Sequence, residues 1–198
     1  MPITNELIRL CGKLSEEVYD NCTEVKDLGY SITHLADLTI VSIRGTSNVI
    51  NAARDINIIP WKFGSFFSTW GFVRAFNKLS PKILKELGDD RKVIFTGHSL
   101  GGAVAILFAE KLGVGCVTFG SPRVYFKYWS FKSSVDHVRI YMSDDPIAMI
   151  PRLLFEHKCE GIGITDGDSG EELVDVGDHS ISYYNKFIDK NFSGLTMI

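Results

Sequence analysis

Apolar residues recur at helical spacing over residues 3–19, with Ile3, Leu7, Leu10, Leu14 and Val18 on one face, so the chain opens on a predicted helix packed on the body. Residues 30–35 and 38–44 are β-rich runs separated by Ala36-Asp37 and predict an antiparallel N-terminal hairpin. Residues 48–57 are amphipathic, with Val49, Ala52, Ala53 and Ile56 on one side and Asn51, Arg54 and Asp55 elsewhere. An aromatic stretch follows (Trp61, Phe63, Phe66, Phe67, Trp70), then a helical pattern over 71–87 in which Pro81 is a potential break.

The centre is the most regular part. Residues 93–96 form a short apolar strand, 97–102 are glycine-dense, and 100–112 are nearly all apolar, which predicts a helix buried on most sides. Residues 114–119 are the next strand, closed by Gly120-Ser121-Pro122, and 138–142 are another. Strand–helix–strand alternation implies a parallel sheet with right-handed crossovers. After Pro151, residues 158–164 and 171–176 predict a C-terminal hairpin around a polar turn, and a short helix over 180–190 closes the chain. No repeat or linker interrupts the pattern, so residues 1–198 read as one domain, long enough to bury a core.

Composition narrows the classes. With 45% hydrophobic and 23% charged residues, no disorder class fits. A net charge of −3 gives no expectation of nucleic acid, which calls for a clustered basic excess. No apolar run approaches the roughly 20 residues that span a bilayer. The first ten residues show no basic segment before an apolar core, so no secretory signal is expected and a cytoplasmic protein is favoured over a secreted one. Cys11, Cys22, Cys116 and Cys159 lack metal-like spacing, and free thiols are expected.

Gly97-His98-Ser99-Leu100-Gly101-Gly102 matches a G-x-S-x-G nucleophile elbow. A strand must turn into a helix so sharply that the serine takes a strained backbone, and glycines two before and two after leave no side chains to collide. The confirming context is an apolar strand directly before it and an apolar helix directly after it. A serine hydroxyl needs a base to take its proton and a third group to orient that base. Of the downstream histidines, His137 opens a strand and His157 starts a hairpin strand, whereas His179 lies in a loop leading into the last helix, so His179 is the chosen base. Asp144 and Asp145 end a strand at the carboxyl edge where such sheets place their sites. Asp175 and Asp178 remain rivals on sequence alone.

Several ordered segments resemble the class 3 lipases, the small fungal triacylglycerol lipases. These are Val41-Ser42-Ile43-Arg44-Gly45-Thr46, Gly71-Phe72, the elbow, Phe119-Gly120-Ser121-Pro122-Arg123-Val124, Asp145-Pro146-Ile147 ahead of Ile150-Pro151-Arg152, and His179 with Tyr183, whose spacing is one residue longer than the family's His-x-x-Tyr. The chain departs from that pattern in its shorter length, in Thr69-Trp70 where a histidine often precedes Gly-Phe, and in Leu154 where a second proline is usual. The resemblance implies an α/β-hydrolase fold with a mostly parallel central sheet flanked by helices. It implies a triad of Ser99, Asp145 and His179, and an oxyanion hole from the backbone N–H groups of Thr46 and Leu100. It also makes residues 48–57 the candidate lid, with Val49, Ala52, Ala53, Ile56 and Trp61 as candidate substrate contacts. The implied activity is hydrolysis of lipid esters, acylglycerols first, then the sn-1 ester of phospholipids (phospholipase A1), then small esters. Another alcohol in place of water would make an acyltransferase, and a catalytically silent lipid-binding protein is the reading from another class. No cofactor and no metal are expected. Asp166-x-Asp168-x-Gly170-Glu171 has Glu171 where a calcium loop needs glycine, and His157-x-Cys159 has no second pair of ligands nearby. A moving lid would bring transient contact with a lipid surface.

Overall fold

A computed structural model describes residues 2–46, 57–89, 92–164 and 179–191. The candidate lid residues Val49, Ala52, Ala53 and Ile56 lie outside the described residues, as do Asp166 to Glu171, Asp175 and Asp178.

The chain begins with helix α1 (Asn5–Glu17), capped by Thr4, whose hydroxyl accepts from the Leu7 N–H at 3.3 Å. Strands β1 (Thr23–Val25), β2 (Leu28–His34) and β3 (Thr39–Ile43) follow, then the hairpin β4 (Pro60–Phe63) and β5 (Phe66–Thr69). Helix α2 (Trp70–Leu87) leads to β6 (Val93–His98), helix α3 (Leu100–Leu112) and β7 (Gly115–Phe119). Then come β8 (Tyr125–Phe126), β9 (His137–Met142), a 3-10 turn (Ile147–Met149), β10 (Phe155–Glu156), β11 (Gly161–Ile164) and α4 (Ile181–Asn191).

Seven strands form the central sheet in the order β1-β2-β3-β6-β7-β9-β11. From β3 to β11 every neighbour is parallel, whereas β1 and β2 run antiparallel at one edge. Alternate residues of each strand serve opposite faces. Val41, Phe95 and Cys116 join α2 and α3 in one buried cluster, while Ile40, Ile94, Val117 and Ile140 join α1 and α4 in the other. Helix α3 is buried continuously from Gly101 to Ala109, which is why it carries no polar face.

Three expectations change. Helix α2 runs unbroken through Pro81, because Pro81 and Asn77, whose carbonyl loses its partner, both lie on the exposed side. The aromatic stretch is the β4–β5 hairpin, turning at Gly64-Ser65. The described half of the expected C-terminal hairpin, Gly161–Ile164, joins the sheet parallel to β9. Its other half lies outside the described residues.

Phe108 is fully buried between Phe76, at 4.5 Å between ring centroids, and Phe95, at 4.9 Å, and so ties α2, α3 and β6 together. Phe108→Ala is expected to cost about 3–5 kcal/mol in chemical denaturation. A loss below about 1 kcal/mol would show that this core does not depend on the ring.

Candidate active site

The carboxyl ends of β3, β6, β7 and β9 open on one edge of the sheet, and each supplies one part of the site. Between β6 and α3, Ser99 has φ 57°, a left-handed backbone that a side chain adopts only under constraint. The constraint is crowding. A Cβ on Gly101 would stand 2.1 Å from the Ile43 carbonyl oxygen, and one on Gly97 would stand 2.5 Å from the Gly101 carbonyl carbon. The Ser99 N–H donates to the Phe119 carbonyl at 3.0 Å, which locks the turn onto β7. Leu100 is the first residue of α3, so its N–H belongs to the helical turn that lacks intrahelical acceptors and points its positive end at the site.

Asp145 follows β9 and is fully buried. The His179 Nδ1–H donates to its Oδ2 at 2.6 Å, and the Tyr184 hydroxyl donates to the same oxygen at 2.7 Å. Its Oδ1 accepts from the Ile147 N–H at 2.8 Å and the Ala148 N–H at 3.4 Å. Burial pushes its pKa up, but the bonds from His179, Tyr184 and the Ile147 backbone outweigh burial and hold the carboxyl below the usual range. Gly120 makes the room: at φ 54° it turns β7 away, and a Cβ there would stand 2.8 Å from Asp145 Oδ2 and 3.1 Å from His179 Cε1.

The structure therefore brings Asp145 and His179 together at the edge that carries Ser99. Asp144 is exposed. His137 bonds instead to Thr118 Oγ1 (2.9 Å) and Cys159 Sγ (3.0 Å), and His157 bonds to the Ala148 carbonyl (3.0 Å). The His179 Nε2, the nitrogen a serine would use, is buried and has no hydrogen-bond partner among the described residues. Thr46 lies directly after Gly45, where a Cβ would stand 3.4 Å from the Ser99 Cβ, so its loop lies alongside the elbow. A cleft of about 280 Å³ beside Leu100 is lined by Trp70, Gly71, Phe72, Leu28, Arg74 and Lys78 among others. Trp61 packs on Trp70 at a tilt of 53°, 4.5 Å between ring centroids. Among the described residues no cluster of three His, Cys, Asp or Glu side chains is placed to hold a metal, and no helix is long and apolar enough to cross a membrane.

Two features escaped the sequence reading. The tyrosine on the carboxylate is Tyr184, not Tyr183, because Ile181, Tyr184 and Ile188 form the inward stripe of α4. The other is the pair His98 and Tyr19. Tyr19 Oη lies 3.0 Å from His98 Nδ1, and the His98 ring packs 4.5 Å from that of His179. Burial, then the neighbouring His179, push the His98 pKa down to about 3. His98 therefore stays neutral, and does not repel an imidazolium formed on His179.

Two outcomes are expected. Gly120→Ala should lower the melting temperature and slow any reaction at Ser99, by driving the Asp145 carboxylate off His179; unchanged values for both would contradict the packing. Acid should destabilise the fold early. Burial, first among the causes, holds His98 and His137 at about 3 and His157 at about 4, below the roughly 6.5 of an unfolded histidine. Below that pH the unfolded chain takes up protons that the fold refuses, so stability falls by up to about 1.4 kcal/mol per pH unit for each histidine. Asp145, depressed instead, contributes fully above the ordinary carboxylate range and loses that contribution as the pH falls from there through its own lower pKa. Melting curves from pH 7 to about 5 should show the histidine loss, and a flat profile would exclude it.

The family model described as lipase (class 3) matches residues 40–155. A secreted mono- and diacylglycerol lipase of Fusarium solani is 30% identical over 141 residues, 60% of this chain and 41% of that protein. A chloroplastic phospholipase A(1) of Arabidopsis thaliana is 34% identical over 89 residues, 39% of this chain and 20% of that protein. The chain spans less than half the length of these curated relatives. The triacylglyceride lipase of Rhizomucor miehei superposes with a TM-score of 0.71 at 20% identity, covering 81% of this chain and 80% of that one. A triacylglycerol lipase structure described as having a serine protease triad gives 0.68 at 21% identity, covering 82% and 80%. These similarities give the architecture as the α/β-hydrolase fold.

Proposed function

The chain belongs to the class 3 lipase family, and from that premise we propose that it is a serine carboxylic-ester hydrolase acting on acylglycerols. The observation that carries this reading is the buried Asp145–His179 bond of 2.6 Å at the sheet edge that presents Ser99 on a left-handed turn. Neither a binding protein nor a structural module needs a carboxylate-oriented imidazole beside a strained serine.

In this mechanism Ser99 Oγ attacks the ester carbonyl carbon while His179 Nε2 takes the serine proton. Asp145 holds the imidazole in the correct tautomer and stabilises its charged form. The negative charge that develops on the carbonyl oxygen is met by the N–H groups of Thr46 and Leu100, where losing one donor typically costs about 3 kcal/mol of barrier. His179 returns the proton to the departing alcohol, leaving an acyl-Ser99 ester, and water attacks that ester with His179 again as base. Residues 48–57, which directly follow the Thr46 loop in the chain, are assigned the role of lid, and Trp61 and Trp70 that of walls for an acyl chain. The mono- and diacylglycerol lipase relative supports acylglycerols as substrates. A second reading, cleavage of the sn-1 ester of phospholipids, draws support from the phospholipase A(1) relative and from Arg74 in the cleft beside Leu100, where Lys78 is instead paired with Asp27 at 2.8 Å.

Intact-mass labelling with a fluorophosphonate tests the proposal. Wild type is expected to take one adduct and to hydrolyse p-nitrophenyl esters. Ser99→Ala should take none and lose at least about a thousandfold in kcat. Faster turnover of long than of short acyl esters would mark a lipase over an esterase. No adduct and no turnover in folded protein, with and without detergent, would replace this reading with the silent lipid-binding protein.

A further inference from the structure

The hairpin β4–β5, the segment 125–129 and the segment 152–154 meet on the catalytic side of the sheet, because β8 follows β7 and β10 follows the Asp145 loop. The Trp129 indole N–H donates to the Ser65 carbonyl at 2.9 Å, and the Lys127 N–H donates to the Leu154 carbonyl at 3.0 Å, so the three segments are tied together. Between them the Phe67 ring lies 5.0 Å from that of Trp129, and Phe126 lies 5.6 Å from Tyr128. The outer layer of this face is open: Tyr128 is 68% exposed, Trp129 45%, and Leu153 80%. Clustered exposed side chains of this size mark a contact surface rather than idle exterior.

Charge identifies the partner. Residues 57–69, 122–135 and 146–155 contain Lys62, Arg123, Lys127, Lys132 and Arg152 and no Asp or Glu, in a chain whose net charge is −3. Lys62 stands opposite Phe67 in the hairpin, and the Lys127 Nζ lies 4.9 Å over the Tyr128 ring. Of the flanking acids, Asp145 is buried in the site, Glu156 is paired with Lys158, and Glu110 accepts from the Tyr125 hydroxyl. Exposed Asp136 precedes the first residue of β9, at the end of that strand opposite the site, and exposed Asp144 stands at the margin. Tryptophan and tyrosine place an apolar body at the acyl boundary and a polar tip among headgroups, and lysine and arginine reach from apolar stems to anionic phosphates.

We propose that this aromatic and cationic face docks the protein on an anionic phospholipid bilayer, with the Ser99 edge turned toward the lipid. The inference rests on the lipid-ester reading for its purpose; its geometry stands apart from the lid. Each exposed cation near such a surface contributes roughly fivefold in affinity, and salt screens that contribution.

Co-sedimentation with sucrose-loaded vesicles tests it, using Ser99→Ala protein so that the lipid stays intact. Binding is expected to be at least about tenfold tighter to phosphatidylcholine vesicles with about 30% phosphatidylserine than to phosphatidylcholine alone, and to weaken at high salt. Lys127→Gln with Arg152→Gln should cost at least about tenfold, and Leu153→Ala a further loss, while circular dichroism stays unchanged. With Ser99 restored, the same two charge substitutions should leave soluble short-chain ester turnover intact. Folded protein that ignores the vesicles, or that binds both kinds equally, overturns the proposal. So does a patch variant that changes the oligomeric state by sedimentation and leaves vesicle binding untouched, which would give the face to a second copy of the chain. Protein that takes the fluorophosphonate but ignores vesicles overturns the docking face alone, and protein that docks but takes no label overturns the hydrolase reading alone.

Discussion

The rest of the molecule is arranged around one close approach, where α3 starts against the ends of β6 and β3 with no room for a methyl group. A Cβ at Gly101 would fall 2.1 Å from the Ile43 carbonyl oxygen, well inside van der Waals contact. Because the helix begins so near the strands, the chain has a single residue in which to reverse direction, and that residue is Ser99 at φ 57°. The same approach sets the Gly45–Thr46 segment beside the start of the helix. The positive end of α3 and the loop after β3 therefore lie side by side, the arrangement on which the proposed oxyanion hole rests.

A second constraint is electrostatic. Burying a carboxylate costs free energy unless its oxygens are bonded, and Asp145 accepts from four donors. Two of them come from the turn that follows it, and two from the His179–Tyr184 stretch. The neighbouring His98 adds no competing charge, since burial keeps it neutral and Tyr19 engages its Nδ1. Ser99, Asp145 and His179 are all buried, so the carboxylate's charge is met by these bonds rather than by bulk solvent.

Legibility followed the strength of local periodicity. Residues 100–112 were readable to the last residue, because a buried helix between two glycine-rich turns has sharp ends. The pairing of β11 was not readable, since an apolar run does not state which neighbour it will join. The β4–β5 hairpin was missed because its aromatics pack on both sides, Phe63 toward α2 and Phe67 toward Trp129, which erases the polar alternation. The turn Gly64-Ser65 was the available signal. At the site, loop position singled out His179 among the downstream histidines, whereas the residues alone left several carboxylates open and only the resemblance to class 3 lipases pointed to Asp145, which the fold bonds to His179. That Tyr184 rather than the motif-matched Tyr183 faces the carboxylate follows from the rotation of α4, whose inward stripe is Ile181, Tyr184 and Ile188.

The clamp on Asp145 also bears on how the polypeptide tolerates change. His179 is fastened to the carboxylate and backed by Tyr184 five positions later. The Tyr184 hydroxyl also accepts from the Met142 N–H of β9 at 3.1 Å, so one side chain of α4 holds both the carboxylate and the strand that delivers it. Change at Tyr184 would loosen helix, strand and imidazole at once, whereas the exposed positions of α4, such as Lys186, are open to evolutionary drift.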